Sequence, residues 1–325
     1  MTEKETIVNL SLKPVICPKV LFVTGLGRAG KSMLAPLVSN LDRVEYYQVI
    51  PAVDHIPCLW MLGLLDGHTA TALLRMTVDV AIYDRLIGRN VNARLSDSTS
   101  IHNALDPAET LVRSFNPDGM AAVEKFNGKG RIPCISTHFA MCAAPLFFRA
   151  FPEARILHHI RHPLDVAESS RQRGWGERFG VDPTAFSFSV TTESGADVPW
   201  FAANNAQEYK EMDPTNRVVW MILRLLDKNE SGAKELDERH QAQVLTTTFE
   251  RLASTPVDEL ARVAEWLETE IPSTMPIAMT KERVPRVIPM GDRTNKAETL
   301  RQLTTPELFE QLMAASKRYE DAWIK

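Results

Sequence analysis

Residues Val20–Thr24 form an unbroken apolar run. The next eight, Gly25-Leu26-Gly27-Arg28-Ala29-Gly30-Lys31-Ser32, match the pattern G-x-x-x-x-G-K-[ST]. The run reads as a strand buried on both faces. From Lys31 to about Asn40 the apolar residues Met33, Leu34, Leu37, Val38 and Leu41 share one face at helical spacing. A buried strand, a glycine turn and an amphipathic helix, in that order, supply the context the pattern requires. The glycines let the backbone turn tightly and aim its N–H groups inward, and the helix adds its positive end, so the loop suits an anionic phosphate. Lys31 reaches a bridging or terminal oxygen and Ser32 donates a hydrogen bond. Gly25, Gly27, Arg28, Ala29, Gly30, Lys31 and Ser32 are the first candidate binding residues.

The remaining chain alternates β-rich and helical stretches. Strands are predicted at Ile132–Ser136, Arg155–Ile160 and Gln243–Thr247. Helices are predicted over much of Trp60–Glu124 (interrupted around Asn90–Ser100), from Pro163, and from Pro214 through Leu226. The T-x-x-D signal at Thr255 opens a further helix to Leu267, and Thr305-Pro306 opens the last one. Leu308, Leu312, Met313 and Tyr319 of that last helix form a stripe expected to be core. Gly174–Asn205 has no clear period and is expected to be a long loop or lid. Lys281–Lys296 is expected to be a basic, proline-containing loop. The expected fold class is α/β, a single P-loop-like domain over residues 1–325 with a central, mainly parallel sheet flanked by helices.

Composition narrows the function classes. Of 325 residues, 44% are hydrophobic and 24% charged, enough for a core without disulfides or metals. Acidic residues outnumber basic ones, 41 to 37, for a net charge of -4, which argues against nucleic acid as a partner but leaves room for a local basic pocket. Cys17, Cys58, Cys134 and Cys142 form no C-x-x-C pair and have no histidine cluster at zinc spacing, so buried reduced thiols and no metal are expected. Met1–Thr6 is charged and lacks the apolar core of a signal peptide. The strongest apolar run, Cys58–Leu65, is too short to span a bilayer. A cytoplasmic protein without a transmembrane segment is expected.

A nucleotide-hydrolysing loop of this kind needs an aspartate at the tip of a second apolar strand to help hold Mg²⁺. Ile156–Ile160 ends instead in Arg161, and Ile132–Ile135 ends in Ser136 and His138. Arg161 occupies a strand tip, where α/β folds place ligand contacts. Ser169 lies two turns into the next helix, facing back toward its start. One guanidinium and one hydroxyl so placed clamp a single phosphate; the competing reading gives Arg161 a carboxylate partner and leaves Ser169 merely exposed.

These segments together resemble the sulfotransferases that use 3′-phosphoadenosine-5′-phosphosulfate (PAPS). The family's 5′-phosphosulfate loop is similar to Gly25–Ser32. Its 3′-phosphate motif R-x-x-x-D-V-x-x-S is matched in register by Arg161, Asp165, Val166 and Ser169. Ser136-Thr137-His138 resembles the K-T-H segment of cytosolic members, with serine replacing lysine. Thr248-Phe249-Glu250-Arg251-Leu252 resembles a Y-E-D-L segment, with Phe249 for tyrosine. Arg283–Lys296, which contains Arg293, lies where the family has its last cofactor loop. Lys31 stands where the family has threonine, and Arg28 matches the family's loop cation.

The resemblance implies in-line transfer of a sulfuryl group from PAPS to a hydroxyl or amine, releasing 3′-phosphoadenosine-5′-phosphate (PAP) without a metal. It implies that Arg28 and Lys31 stabilise charge on the bridging oxygen, that Arg161 and Ser169 hold the 3′-phosphate, and that Phe249 and Arg293 complete the cofactor site. His138 is the expected base, with Asp54, followed by Glu45, as the carboxylate alternatives. Insertions at about 60–130 and 174–230 are expected to form the acceptor side, where Trp175 and Trp200 sit; small-molecule, sugar and lipid acceptors all stay open. Two other readings stay open as well: a P-loop kinase using ATP and Mg²⁺, and a non-catalytic nucleotide-binding module.

Overall fold

The computed structural model describes residues 10–193, 195, 197–288 and 291–324; the Met1–Thr6 stretch lies outside them. The chain forms an α/β fold around five parallel strands: β1 (Leu21–Thr24), β2 (Gln48–Val49), β3 (Cys134–Ser136), β4 (Arg155–Ile160) and, after a small hairpin of β5 (Ser189–Thr191) and β6 (Asp197–Pro199), β7 (Val244–Thr248). Their order is β2-β3-β1-β4-β7. β1 is central, in register with β3 at Phe22–Ile135 and with β4 at Phe22–Ile156.

The apolar run of β1 is explained by its two covered faces. Phe22 packs with Ile135, Ile156 and Phe147 on one side, while Leu21 and Val23 join Leu34, Leu37 and Leu157 on the other. Helix α1 (Lys31–Val38) covers the second face, and α2 (Pro51–Met61) and α3 (Gly67–Leu86) lie toward the first. Beyond β4 come α4 (Pro163–Arg171), the single turn α5 (Trp175–Arg178), α6 (Pro214–Lys234), α7 (Phe249–Ser254), α8 (Pro256–Leu267), α9 (Gly291–Leu303) and α10 (Pro306–Trp323).

Several sequence expectations need correction. Residues 291–296 are the first turns of α9 rather than loop, with Lys296 held by Asp165 and Asp292; Pro289 and Met290 lie outside the described residues. The Gly174–Asn205 stretch is not structureless, since it holds α5 and the β5–β6 hairpin. Met313 is exposed while Leu308, Leu312 and Tyr319 are buried, so the core stripe of α10 is narrower than its apolar spacing suggests. The Thr255 hydroxyl does not cap α8; it donates back to the Arg251 carbonyl, whereas Thr305 accepts from the Leu308 amide and caps α10. α6 runs two turns past Leu226 because Leu225, Asn229 and Gly232 stay buried.

Candidate active site

The carboxyl ends of the five parallel strands point to one edge of the sheet, and the residues that follow them gather there. Gly25 follows β1, Asp54 lies five residues after β2, His138 two after β3, Arg161 one after β4, and Phe249 one after β7. The chain passes from β1 outward to β2, back to β3, and then across to β4 on the other side of β1. That reversal opens a crevice at the strand tips.

The loop is shaped by close approach. Gly25 has φ +151 and passes so near β4 that a Cβ would lie 2.1 Å from the His159 carbonyl oxygen. Gly30, at φ +103, is the left-handed residue before α1, and a Cβ there would lie 2.5 Å from the Phe249 ring. Gly27 needs no unusual φ; a Cβ on it would instead strike the Trp175 ring at 2.2 Å. Ala29 is buried, and Ser32 is exposed on the first turn of α1. Beneath the loop, His159 is fully buried, with Nδ1 2.9 Å from the Thr247 hydroxyl; burial, then the neighbouring Lys31, pushes its pKa down to about 3.

The loop's charges are distinctive. Lys31 is buried and donates from Nζ to the Gly25 carbonyl and, at 3.1 Å, to the Leu26 carbonyl; burial lowers its pKa to about 8. Arg28, itself at φ 66, donates from Nε to Ser169 Oγ at 3.0 Å. Arg161 donates from Nη1 to the Arg28 carbonyl at 3.2 Å, and its guanidinium carbon lies 4.2 Å from the Phe249 ring centroid. Arg286, which the sequence reading did not single out, lies 5.3 Å from the same centroid. Among the described residues, Arg28, Arg161 and Arg286 have no carboxylate within ion-pair distance, and Arg161 Nε is buried without a partner. Burial, then repulsion from Arg173 and Arg161, lowers the pKa of Arg28. Three guanidinium groups at one strand edge, none held in a salt bridge among the described residues, suit an anion.

Arg293 is placed differently. It is buried and ion-paired, Nε to Asp165 at 3.1 Å and Nη2 to Glu250 at 2.7 Å, in a network that also holds Lys296. His162 is buried nearby, paired with Glu320 at 3.1 Å.

On the other side of the loop, His138 and Asp54 form one unit. His138 Nδ1 lies 2.8 Å from Asp54 Oδ2. Asp54 Oδ1 accepts from the His138 amide at 2.7 Å, from the Phe139 amide at 3.3 Å, and from the Thr137 hydroxyl. Burial raises the Asp54 pKa, but the His138 ring and these hydrogen bonds outweigh it and hold the carboxyl below its ordinary value. Two residues weighed as alternatives are thus partners. With Asp54 accepting at Nδ1, the imidazole carries its proton there and leaves Nε2 as an acceptor. Thr137, which the sequence marked only by resemblance, locks the carboxylate. Glu45 sits at the opposite, amino-terminal edge of the sheet, its amide bonded to the Ile132 carbonyl and its carboxylate held by both terminal nitrogens of Arg113.

A cavity of about 360 Å³ opens between the loop and His138. Leu26, Gly27, Asp54 and His138 border it, and Phe139, Trp175, Phe179, Phe188, Trp200 and Phe201 wall it, with Met221, Ile222 and Leu225 of α6 beyond. The rings pack edge to face, Phe139 on Trp200 at 5.0 Å and Phe179 on Phe201 at 5.7 Å. His55 binds α2 to this wall: its Nε2 lies 2.9 Å from the Phe186 carbonyl oxygen and its ring 4.8 Å from Phe188. The lining draws on 175–201 and α6; α3 instead buries Ala70, Leu74 and Val78 in the core with Phe147.

No family model and no curated protein sequence matches the chain. Solved structures do. The sulfotransferase domain of the Synechococcus PCC 7002 olefin synthase is 12% identical, with 93% of this chain and 94% of that chain covered and a TM-score of 0.46. Sulfotransferase STF9 from Mycobacterium avium is 13% identical, with 94% and 76% covered and a TM-score of 0.46. A sulfotransferase from Alicyclobacillus acidocaldarius is 15% identical, with 94% and 98% covered and a TM-score of 0.39. At such identities and scores the activity rests on the residues themselves.

Proposed function

We propose that the protein is a PAPS-dependent sulfotransferase acting on a small acceptor with a largely apolar body. One observation carries the reading: the two segments suited to an anion, 141 residues apart in sequence, are joined by the Arg28–Ser169 bond, and the first of them, the glycine loop, borders the same cavity as the Asp54-oriented His138.

The residues fit the donor's two anionic ends. The tight glycine turn and the amides opening α1 suit the 5′ end; Arg161, Arg286 and Ser169 suit the 3′-phosphate. Phe249, between two guanidinium groups and the loop, is the aromatic surface on that side. PAPS supplies a sulfuryl group for in-line transfer to the acceptor. Lys31 and Arg28 offset charge on the leaving phosphate, and His138 Nε2 receives the acceptor's proton while Asp54 stabilises the resulting imidazolium. Asp54 is fully taken up by Thr137, His138 and Phe139, so it has little left for a metal ion. Arg178 in the cavity wall is likewise paired, with Asp182 at 2.6 Å. A sugar would leave most of its hydroxyls unmatched against these rings, which favours a neutral, apolar alcohol or phenol.

Calorimetric titration with PAP, ATP and ADP, each with and without Mg²⁺, tests the reading. Metal-independent binding that requires the 3′-phosphate and weakens in Arg161→Ala is expected. Preference for Mg²⁺-ATP, indifferent to the 3′-phosphate, would replace the reading with a phosphotransferase.

A further inference from the structure

Gly27 is the middle glycine of the loop, at a position where the pattern G-x-x-x-x-G-K-[ST] accepts any residue. Its backbone does not call for glycine either, since its φ lies outside the left-handed region. Among the described residues the neighbour that demands it is the six-membered edge of Trp175, where a Cβ would come within 2.2 Å of Cη2 and 2.5 Å of Cζ3. Trp175 is firmly mounted. The next residue, Gly176, lies so close to the start of α6 that a Cβ would sit 1.8 Å from the Pro214 carbonyl oxygen. The Trp175 ring also packs on Phe179 at 5.5 Å. Gly27 and Trp175 both line the cavity that His138 borders. The indole therefore forms a wall common to the phosphate loop and the acceptor cavity.

We propose that the Gly27–Trp175 contact is a water-excluding and specificity-determining seal at the reacting end of the cavity. The proposal rests on the PAPS reading above. With the seal in place, an acceptor hydroxyl reaches the donor from the cavity and bulk water does not. With it broken, water competes: its oxygen forms the new bond to sulfur, the bond from sulfur to the bridging oxygen breaks, and sulfate and PAP leave while the protons pass to solvent.

The test measures PAP released from PAPS without any acceptor, in wild type, Trp175→Ala, Trp175→Phe and Gly27→Ala, with PAP affinity determined by calorimetry alongside. Acceptor-independent release is expected to rise severalfold in W175A while PAP affinity stays close to wild type, with W175F between the two. Release is expected to rise in G27A as it does in W175A, because its methyl group displaces the ring; Gly27 belongs to the phosphate loop, so near-wild-type PAP affinity is asked only of the Trp175 variants. The G27A/W175A double variant should be no leakier than W175A alone, the non-additivity of two groups in contact. A readout without nucleotide supports the same point: the Trp175 indole N–H resonance, assigned by its loss in W175F, should shift in G27A. Unchanged release in both W175A and G27A, with normal PAP affinity in W175A, overturns the seal and leaves the sulfotransferase reading standing. Failure of the wild-type protein to bind PAP removes both.

Discussion

The phosphate loop and the cavity beside it touch at Gly27, yet they are built by opposite means. The loop is eight consecutive residues shaped by backbone fit, with glycines pressed against His159 and Phe249 and with Arg28 and Lys31 bonded to a hydroxyl and to backbone carbonyls instead of carboxylates. Beyond Leu26 and Gly27 of the loop itself, the cavity is assembled from four separated stretches, around residues 49–58, 138–139, 175–201 and 221–225, held together by ring edges and aliphatic side chains. The first holds unfavourable charge in readiness for a ligand; the second gains its stability from burying apolar surface. Changes on the loop side should therefore damage binding more than folding, and changes on the cavity side should do the reverse.

The largest effect should fall where the two regions meet. His138→Ala is expected to lower the transfer rate by about 10²–10⁴-fold with PAP affinity retained, read from single-turnover kinetics beside calorimetry. Equal loss of PAP binding would move His138 to the loop side of the comparison. Next, Arg161→Ala should weaken PAP by roughly tenfold to a hundredfold, as expected for hydrogen bonds to a charged group. Lys31 adds a pH dependence: with its pKa held near 8 by burial, it loses its proton as pH rises through that value, so PAP affinity should fall above pH 8 in wild type and much less in Lys31→Met. In the ligand-free K31M variant the relief of a buried charge is offset by the Gly25 and Leu26 carbonyls left without their donor, so it should melt close to wild type.

The contrast extends to stability. His159, under the loop, titrates at about 3 when folded against an ordinary value of 6.5. The folded state then binds fewer protons, so its contribution is complete above pH 6.5 and is lost as pH falls toward 3. By pH 4 the loss is about 3 kcal/mol, seen as a difference in acid unfolding between wild type and His159→Gln. Smallest of all, Thr305→Ala should cost about 1 kcal/mol in denaturant melts and Thr255→Ala only a few tenths, although both precede proline at a helix start.

That last pair shows where sequence reading runs out. Thr255 and Thr305 look alike in sequence, but α7 ends directly before Thr255 and its Arg251 carbonyl captures the hydroxyl. The loop was legible because its chemistry resides in contiguous backbone, and β1 and β3 were legible because their apolar runs are buried throughout, whereas the two residues of β2, half-buried and exposed, gave no such run. The Asp54–His138 pair was not, since the partners lie 84 residues apart and meet only because β2 and β3 are neighbours. Arg286 was missed for a related reason: it lies within a basic stretch, and only its approach to Phe249 separates it from Arg283 and Arg293. The role of Gly27 was hidden because a third glycine in a glycine-rich loop invites no question until Trp175 is seen against it.

Cys58 lies in the wall of the cavity, while Cys17, Cys134 and Cys142 are buried elsewhere, all four as free thiols. Burial pushes every one of them well above the ordinary thiol value, so the nucleophilic thiolate is scarce at neutral pH. A thiol-specific reagent thus has to wait for the protein to breathe, and the labelling rate of Cys58 becomes a clock for how often the aromatic wall parts, slowed by whatever molecule fills the space behind it.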